Sequence, residues 1–344
     1  MSRPTMEDVA RRAGVSRALV SLVMRGSPKV SEQRREAVLR AAAELGYSPH
    51  AMARSLASRT SNVLGVMVSD LHNAFFAEVV DGLEAAAGAE GFELIINTGG
   101  RSPARERRAV GRLLSFRPAG LALLGPVVPV SAIASAAEQC PVVLISRQSR
   151  ISAVDTVNDD GQAGSALAID HLVSLGHKKI VHLDGGGGSQ SGTRRRGYLA
   201  AMRRHELEPQ VIPSEYTDAA GAAAVRGLLA KQDGVLPSAI VAANDLNAVG
   251  AISALEEAGL RVPEDISVVG YDNTSLAALR HIALTTIDQP RMKMGRLAAE
   301  ALLERVRGLR SEPVRHLLQP ELVIRSTTAP PSVEALVDTA DERV

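Results

Sequence analysis

Between residues 62 and 330 the chain alternates short apolar runs with longer amphipathic stretches, and this rhythm restricts the fold more than any other feature. Val63–Val68 is one apolar run; 92–97, 120–124 and 142–145 are others. Short apolar runs bounded by turn formers read as strands buried on both faces. Helical spacing fills the intervals, beginning with 75–89. A second series starts near Thr156, with strands around 179–183, 239–242 and 266–270 and helices near 163–175, 193–204, 219–230 and 246–258. Such alternation predicts parallel sheets with helices on both faces, and two series predict two similar lobes. A helix at 290–307 and a strand at 320–325 predict that the chain crosses between lobes more than once. The uncharged stretch 118–137 is long enough to cross a bilayer. Pro118, Gly120, Gly125, Pro126 and Pro129 break it into the strand, turn and helix start of a buried core, so no membrane partner is expected.

The first 61 residues follow another rule. They hold eleven basic and five acidic side chains, +6, whereas the remainder carries −5. A basic head on an acidic body suggests an anionic partner for the head alone. Thr5-x-x-Asp8 resembles a capping box, and Met6, Val9, Ala10 and Ala13 then mark one apolar helix face. Gly14 ends that helix and Ser16 caps the next, whose inner face is Leu19, Val20 and Val23. A third helix from near Ser31 carries Val38, Leu39, Ala42 and Leu45. Two short helices with a tight glycine turn make a helix-turn-helix. The second helix of such a unit presents its N-terminal residues to base edges in the major groove. Arg17 is placed to grip a guanine and Ala18 to touch a thymine methyl, with Ser16, Ser21, Arg25 and Lys29 on phosphates. The same three helices can also serve as a protein-interaction module.

The next segment favours DNA. Ser48 and Pro49 open a helix of barely two turns, too short to be stable alone and poised to fold on binding. Leu56 at its end has no evident core, which suits an apolar wedge between base pairs in the minor groove. Met6-Glu-Asp-Val-Ala-Arg-Arg-Ala-Gly-Val-Ser16, followed by Tyr47-Ser-Pro-His-Ala-x-Ala-Arg-Ser-Leu56, resembles the LacI/GalR repressor family. The resemblance implies a recognition helix in the major groove, and hinge helices of two subunits meeting in the minor groove, with Leu56 as the residue that kinks the central step. Thr5, Leu22, His50, Ala53 and Arg54 complete the set expected at the duplex. The chain departs from the family at Arg25, commonly asparagine, and at Leu22.

Ligands of open α/β sheets bind outside the carboxyl ends of the strands, and two facing lobes would make a cleft there. Polar residues gather at those ends. Asp70, Asn73, Phe75 and Phe76 follow the first strand; Ser146 and Arg147 follow the fourth; Asp159 lies just beyond. Arg194 opens a helix, Asn244 and Asp245 end a strand, and Asp272 and Gln289 follow two more. Each residue taken singly also reads as a cap or turn former, Asp245 in part a helix cap; the set favours a cleft for a small polar ligand. Leu175-Gly-His-Lys-Lys-Ile180, Arg194-x-x-Gly-Tyr-x-x-Ala-Met202, Ala243-Asn-Asp-x-x-Ala-x-Gly250, Val262-Pro-Glu-Asp-Ile-Ser-Val-Val-Gly-Tyr-Asp-Asn273 and Leu284-Thr-Thr-Ile287 are similar to the effector domain of the same family, itself like the periplasmic sugar-binding proteins. By that resemblance Arg194 and Asp272 would grip the effector, with Asn244 and Asp159 beside them and Phe75 and Phe76 lining the pocket. Ala74 replaces the usual proline of Asn-Pro-Phe-Phe, and Ser146 stands where relatives often have an aspartate.

Other functions find little support. Gly187 and Gly192 are spaced as in a phosphate loop, but Thr193 follows where a lysine is needed. Gln190 excludes a nucleophile elbow. The single Cys140 rules out a disulfide framework, and the eight histidines show no metal spacing, so no cofactor or metal is expected. A pure ligand carrier would lack the basic head and need an export signal, whereas Met1–Arg12 is polar from the start; a cytoplasmic protein is expected. The expected fold is α/β: an all-α helix-turn-helix over 1–47, a hinge helix and linker over 48–61, and a two-lobed parallel α/β domain of periplasmic-binding-protein type over 62–330. One lobe takes about 62–160 and 291–319, the other about 161–290 and 320–330. Residues 331–344 form a tail with apolar residues at helical spacing, too short for a coiled coil. The expected function is that of a transcriptional regulator acting as a repressor. It binds palindromic operator DNA as a homodimer, under control of a small molecule such as a sugar or related metabolite.

Overall fold

The computed structural model describes residues 4–24, 27–47, 61–230 and 236–332. The chain divides into two compact units, residues 1–62 and 63–344.

The first unit holds α1 (Met6–Ala13), α2 (Arg17–Met24) and α3 (Glu32–Leu45). The Thr5 hydroxyl accepts from the Asp8 amide at 3.3 Å, and the Asp8 carboxylate accepts from the Thr5 amide at 2.9 Å, closing the capping box. Gly14 turns at φ 65°, and its amide reaches the Ala10 carbonyl. The left-handed turn costs glycine nothing and lets the chain reverse within three residues. Ser16 Oγ then accepts from the Leu19 amide at 3.2 Å. Val9, Ala10, Val20, Val23, Val30, Val38, Ala41 and Ala42 form the core. Leu39 is not part of it, being 50% exposed. With Val38 facing inward, the helical period brings 41 and 42 to the same face and turns 39 about 100° away.

The second unit contains two six-stranded sheets. The first is ordered β11-β5-β4-β3-β1-β2, from β1 (Val63–Val68), β2 (Glu93–Thr98), β3 (Gly120–Leu124), β4 (Val142–Ile145), β5 (Val154–Asp159) and β11 (Arg315–Leu318). The second is ordered β12-β10-β9-β8-β6-β7, from β6 (Ile180–Leu183), β7 (Gln210–Ile212), β8 (Ala239–Val241), β9 (Ser267–Asp272), β10 (Thr285–Asp288) and β12 (Glu321–Val323). Every pairing is parallel except β10 with β12, which run antiparallel from Thr286 opposite Val323 to Asp288 opposite Glu321. β12 is thus an antiparallel edge strand on an otherwise parallel sheet, the exception to the all-parallel expectation.

Helices cover both faces. On the first sheet lie α4 (Ala74–Ala89), α5 (Pro103–Ser115), α6 (Val130–Ala137) and α11 (Arg291–Val306). On the second lie α7 (Gly161–Ser174), α8 (Ser191–Arg204), α9 (Asp218–Leu229) and α10 (Asp245–Glu257). Thus the chain passes between lobes three times: after β5, between β10 and α11, and between β11 and β12. α4 and α11 touch backbone to backbone. A Cβ on Gly295 would stand 2.0 Å from the Val79 carbonyl oxygen, and one on Gly82 would stand 2.2 Å from that of Met292. Strand order reverses between β1 and β3 in one sheet and between β6 and β8 in the other. Loops diverge at such switch points and leave a crevice at the strands' carboxyl ends.

Candidate functional site

The two crevices face each other across a cavity of about 250 Å³. Ser69 and Asp70 follow β1, Gly125 and Val127 follow β3, and Ser146 follows β4. Asn73, Phe75 and Phe76 come from the start of α4, and Arg101 and Pro103 from the start of α5. The other lobe supplies Gly185, Gly187, Gly188, Ser189 and Gln190 between β6 and α8, then Arg194, Glu215, Tyr216 and Asp272. Phe75 and Phe76 meet edge to face, their ring planes at 77°. Tyr216 lies over the glycine loop, where a Cβ on Gly188 would come within 2.1 Å of its ring. The glycines between 185 and 188 therefore make room for an aromatic wall.

Arg194 organises the floor. It is 5% exposed, donates to the Ala243 carbonyl at 2.6 Å and to Asp272 Oδ1 at 3.1 Å, and stacks 3.6 Å from the centre of the Tyr271 ring. Burial opposes its charge, but the oxygens of Tyr216, Asp272, Tyr271 and Asp159 outweigh burial and hold the guanidinium above its ordinary pKa. Asp272 is also held by Gln289 Nε2 at 2.5 Å, and its backbone sits at φ 110°, a strained conformation for a non-glycine. Near the mouth, Arg101 pairs with Asp70 at 3.4 Å and reaches Glu215 of the opposite lobe at 3.8 Å. Among the described residues, buried Ser146 Oγ, Tyr216 Oη, Gln190 Oε1 and Arg194 Nε have no hydrogen-bond partner. A buried polar atom costs free energy until something meets it, so four such atoms around one cavity point to a polar ligand.

Residues 5–50 match the family model of the lacI family of bacterial regulatory proteins, and residues 169–328 match that of a periplasmic binding protein-like domain. The ribose operon repressor of Haemophilus influenzae is 34% identical over 327 residues, covering 94% of this chain and 98% of its own. The transcriptional repressor PurR of Vibrio atlanticus is 34% identical over 330 residues with the same coverage. Among solved structures, the lac repressor dimer bound to operator and the anti-inducer ONPF aligns with a TM-score of 0.82 at 30% identity, over 95% of this chain and all of that one. The chain belongs to the LacI family. As a LacI-family protein it is a DNA-binding transcriptional regulator with an effector-binding domain, not an enzyme.

Of the expected effector residues in this LacI-family chain, Asp70, Asn73, Phe75, Phe76, Ser146, Arg194 and Asp272 line the cavity. Asp159, Asn244 and Gln289 stand behind that lining. Asp159 accepts from the Tyr271 hydroxyl at 2.5 Å and Gln289 steadies Asp272. Asn244 caps α10, accepting from the Asn247 amide at 2.9 Å, while its Nδ2 stays unpartnered. Capping thus falls to Asn244 and not to Asp245, whose carboxylate binds the hydroxyls of Thr274 and Thr286. Burial, then the nearby Asp272, lifts Asp245 to a pKa of about 7. Arg147 lies outside the cavity lining: it donates to the carbonyls of Pro126 and Val128 at 3.0 and 2.6 Å. The amides of Val127 and Val128 meet fully buried Glu106, each at 2.7 Å, and Glu106 also takes the Ser69 hydroxyl at 2.8 Å. Burial raises the Glu106 carboxyl above its usual range. Arg147 and Glu106 together hold the loop that forms part of the cavity wall.

Sequence reasoning missed Ser69, Arg101, Gln190, Glu215 and Tyr216. Tyr216 follows a three-residue strand with no apolar run to announce it; the glycine cluster at 185–188 was the one available signal. In the first unit Thr5, Ser16, Arg17, Ala18 and Lys29 are exposed. Ser21 is half-buried, and Leu22 packs partly against the core. Arg25, His50, Ala53, Arg54, Leu56 and the tail from 333 lie outside the described residues.

Proposed function

We propose that this LacI-family regulator is a repressor that binds a palindromic operator as a homodimer, and that a sugar or related metabolite in the interlobe cavity sets its affinity for that operator. The observation that carries the effector reading is the set of unpartnered polar atoms around a cavity built at both switch points. In this reading Arg194, Asp272, Ser146, Phe75 and Phe76 contact the effector, and Asp159, Asn244 and Gln289 support them. Arg17 and Ala18 read bases, while Ser16, Ser21, Lys29 and the hinge segment 48–61 complete the grip on the duplex. The lac repressor aligned above is a dimer on its operator with a bound ligand, which favours the same assembly here. The site of action is the cytoplasm, where the DNA is.

Selection of duplexes from a random pool, followed by binding titrations at several salt concentrations, tests this. The expected result is an inverted-repeat consensus bound with a steep salt dependence, and an affinity that changes when the effector is added. Arg17→Ala should cost about 1–3 kcal/mol of discrimination at a single base position in each half-site and leave effector binding intact. A protein with no preference for any inverted repeat over random DNA refutes the proposal.

A further inference from the structure

Resting on the reading of the cavity as an effector site, we infer that it is built for an uncharged, hydroxyl-bearing molecule and discriminates against the phosphorylated form of the same compound. The charged groups lining the cavity are Asp70, Arg101, Arg194, Glu215 and Asp272. Three carboxyl groups face two guanidiniums, so no positive charge is left in excess. Each guanidinium is already engaged, Arg101 by Asp70 and Glu215, Arg194 by Asp272. An anionic effector would have to displace a carboxylate or sit among three of them, and an unmatched charge in so enclosed a site is costly.

Three of the four unsatisfied atoms are neutral, and the fourth, Arg194 Nε, can donate to a hydroxyl oxygen as well as to an anion. Ser146 Oγ in one lobe and Tyr216 Oη in the other are hydroxyls, able to donate or accept, and Gln190 Oε1 accepts. Burial pushes the Tyr216 phenol up to about 12, so it keeps its proton to donate. Alcohols both donate and accept, and such neutral groups from both lobes suit them. One feature favours an anion: the first turns of α4 and α8 open at the cavity, and helix N-termini carry partial positive charge. Their amides are largely occupied, however. The Phe75 amide donates to Asn73 Oδ1 at 3.0 Å, and the Thr193 and Arg194 amides donate to the Gln190 carbonyl at 3.0 and 3.1 Å. Phe75 and Phe76 stand at 77° to each other, so the two do not by themselves form a parallel slot for a flat heterocycle.

The test is calorimetric titration of the full-length protein with matched pairs: ribose and ribose 5-phosphate, glucose and glucose 6-phosphate, fructose and fructose 6-phosphate, with inositol and hypoxanthine alongside. A neutral polyol or sugar should bind, and its phosphate ester should bind about 100-fold more weakly or not at all. Tyr216→Phe and Ser146→Ala should each weaken the neutral ligand about 10-fold while leaving the melting temperature of the free protein unchanged or higher, because neither hydroxyl has a partner to lose. Equal or tighter binding of a phosphate ester overturns the inference and leaves the effector reading standing, as does full affinity in both variants. Binding of hypoxanthine alone, or of none of these compounds, overturns the sugar reading itself.

Discussion

Taking the carboxylate from Asp272 removes the one carboxylate that hydrogen-bonds the Arg194 guanidinium inside the second lobe and leaves it the Ala243 carbonyl as its hydrogen-bond acceptor. An unpaired buried charge costs far more than its former partner contributed, so Asp272→Ala should lose about 3 kcal/mol of stability in urea unfolding. Asp272→Asn keeps an acceptor and should lose less. His182 on β6 gives a test in pH. Burial drives its imidazole down to about 4 from 6.5, and the ring bonds the Val241 carbonyl at 3.0 Å. Below pH 6.5 the unfolded chain takes up a proton that the folded protein refuses until about pH 4. Stability from this residue is therefore complete above 6.5 and falls as pH drops towards 4, by about 3 kcal/mol in all. Unfolding curves of the wild type and His182→Gln at several pH values should differ by that slope, the variant being the flatter.

Helix contact sets the limits at the next scale. Because α4 and α11 meet through Gly82 and Gly295, a methyl group at Gly295 must push two backbones apart. Gly295→Ala should cost about 2 kcal/mol or more, read as a lower thermal midpoint, despite alanine's better helix propensity. Elements of this kind were the most legible part of the sequence. β3 and β4 coincide with the apolar runs that announce them, since burial on both faces leaves a strand no polar residue to blur its ends. β7, with the sequence Gln-Val-Ile, and β11, with Arg-His-Leu-Leu, carried no such signal. Both lie at a sheet edge and neither has a fully buried position, so only their partners make them strands. The site divides in the same way. Asp70, Ser146 and Asp272 were found because they end apolar runs. Tyr216 and Glu215 follow the faint β7, and Arg101 acts through a salt bridge no local pattern encodes.

At the scale of the whole molecule, the proposed coupling of effector and operator through one protein requires that each change the other's affinity by the same factor. If a saturating effector changes operator affinity by a given factor, about 5–150-fold in typical cases, a saturating operator must change effector affinity by the same factor. Measuring both ratios checks whether a single linked equilibrium describes the regulator; unequal ratios would demand a further bound species. The threefold passage of the chain between lobes has a different outcome, during synthesis on the ribosome. Met294, Ala298, Ala299 and Leu302 of α11 fill the same core as Leu64 and Val66 of β1, more than two hundred residues earlier. Until that late helix has emerged, the nascent polypeptide keeps an oily sheet face uncovered, open to chaperones or to aggregation. Neither lobe is a single contiguous stretch that could ripen first, so at about 5–20 residues per second the two are completed within seconds of each other.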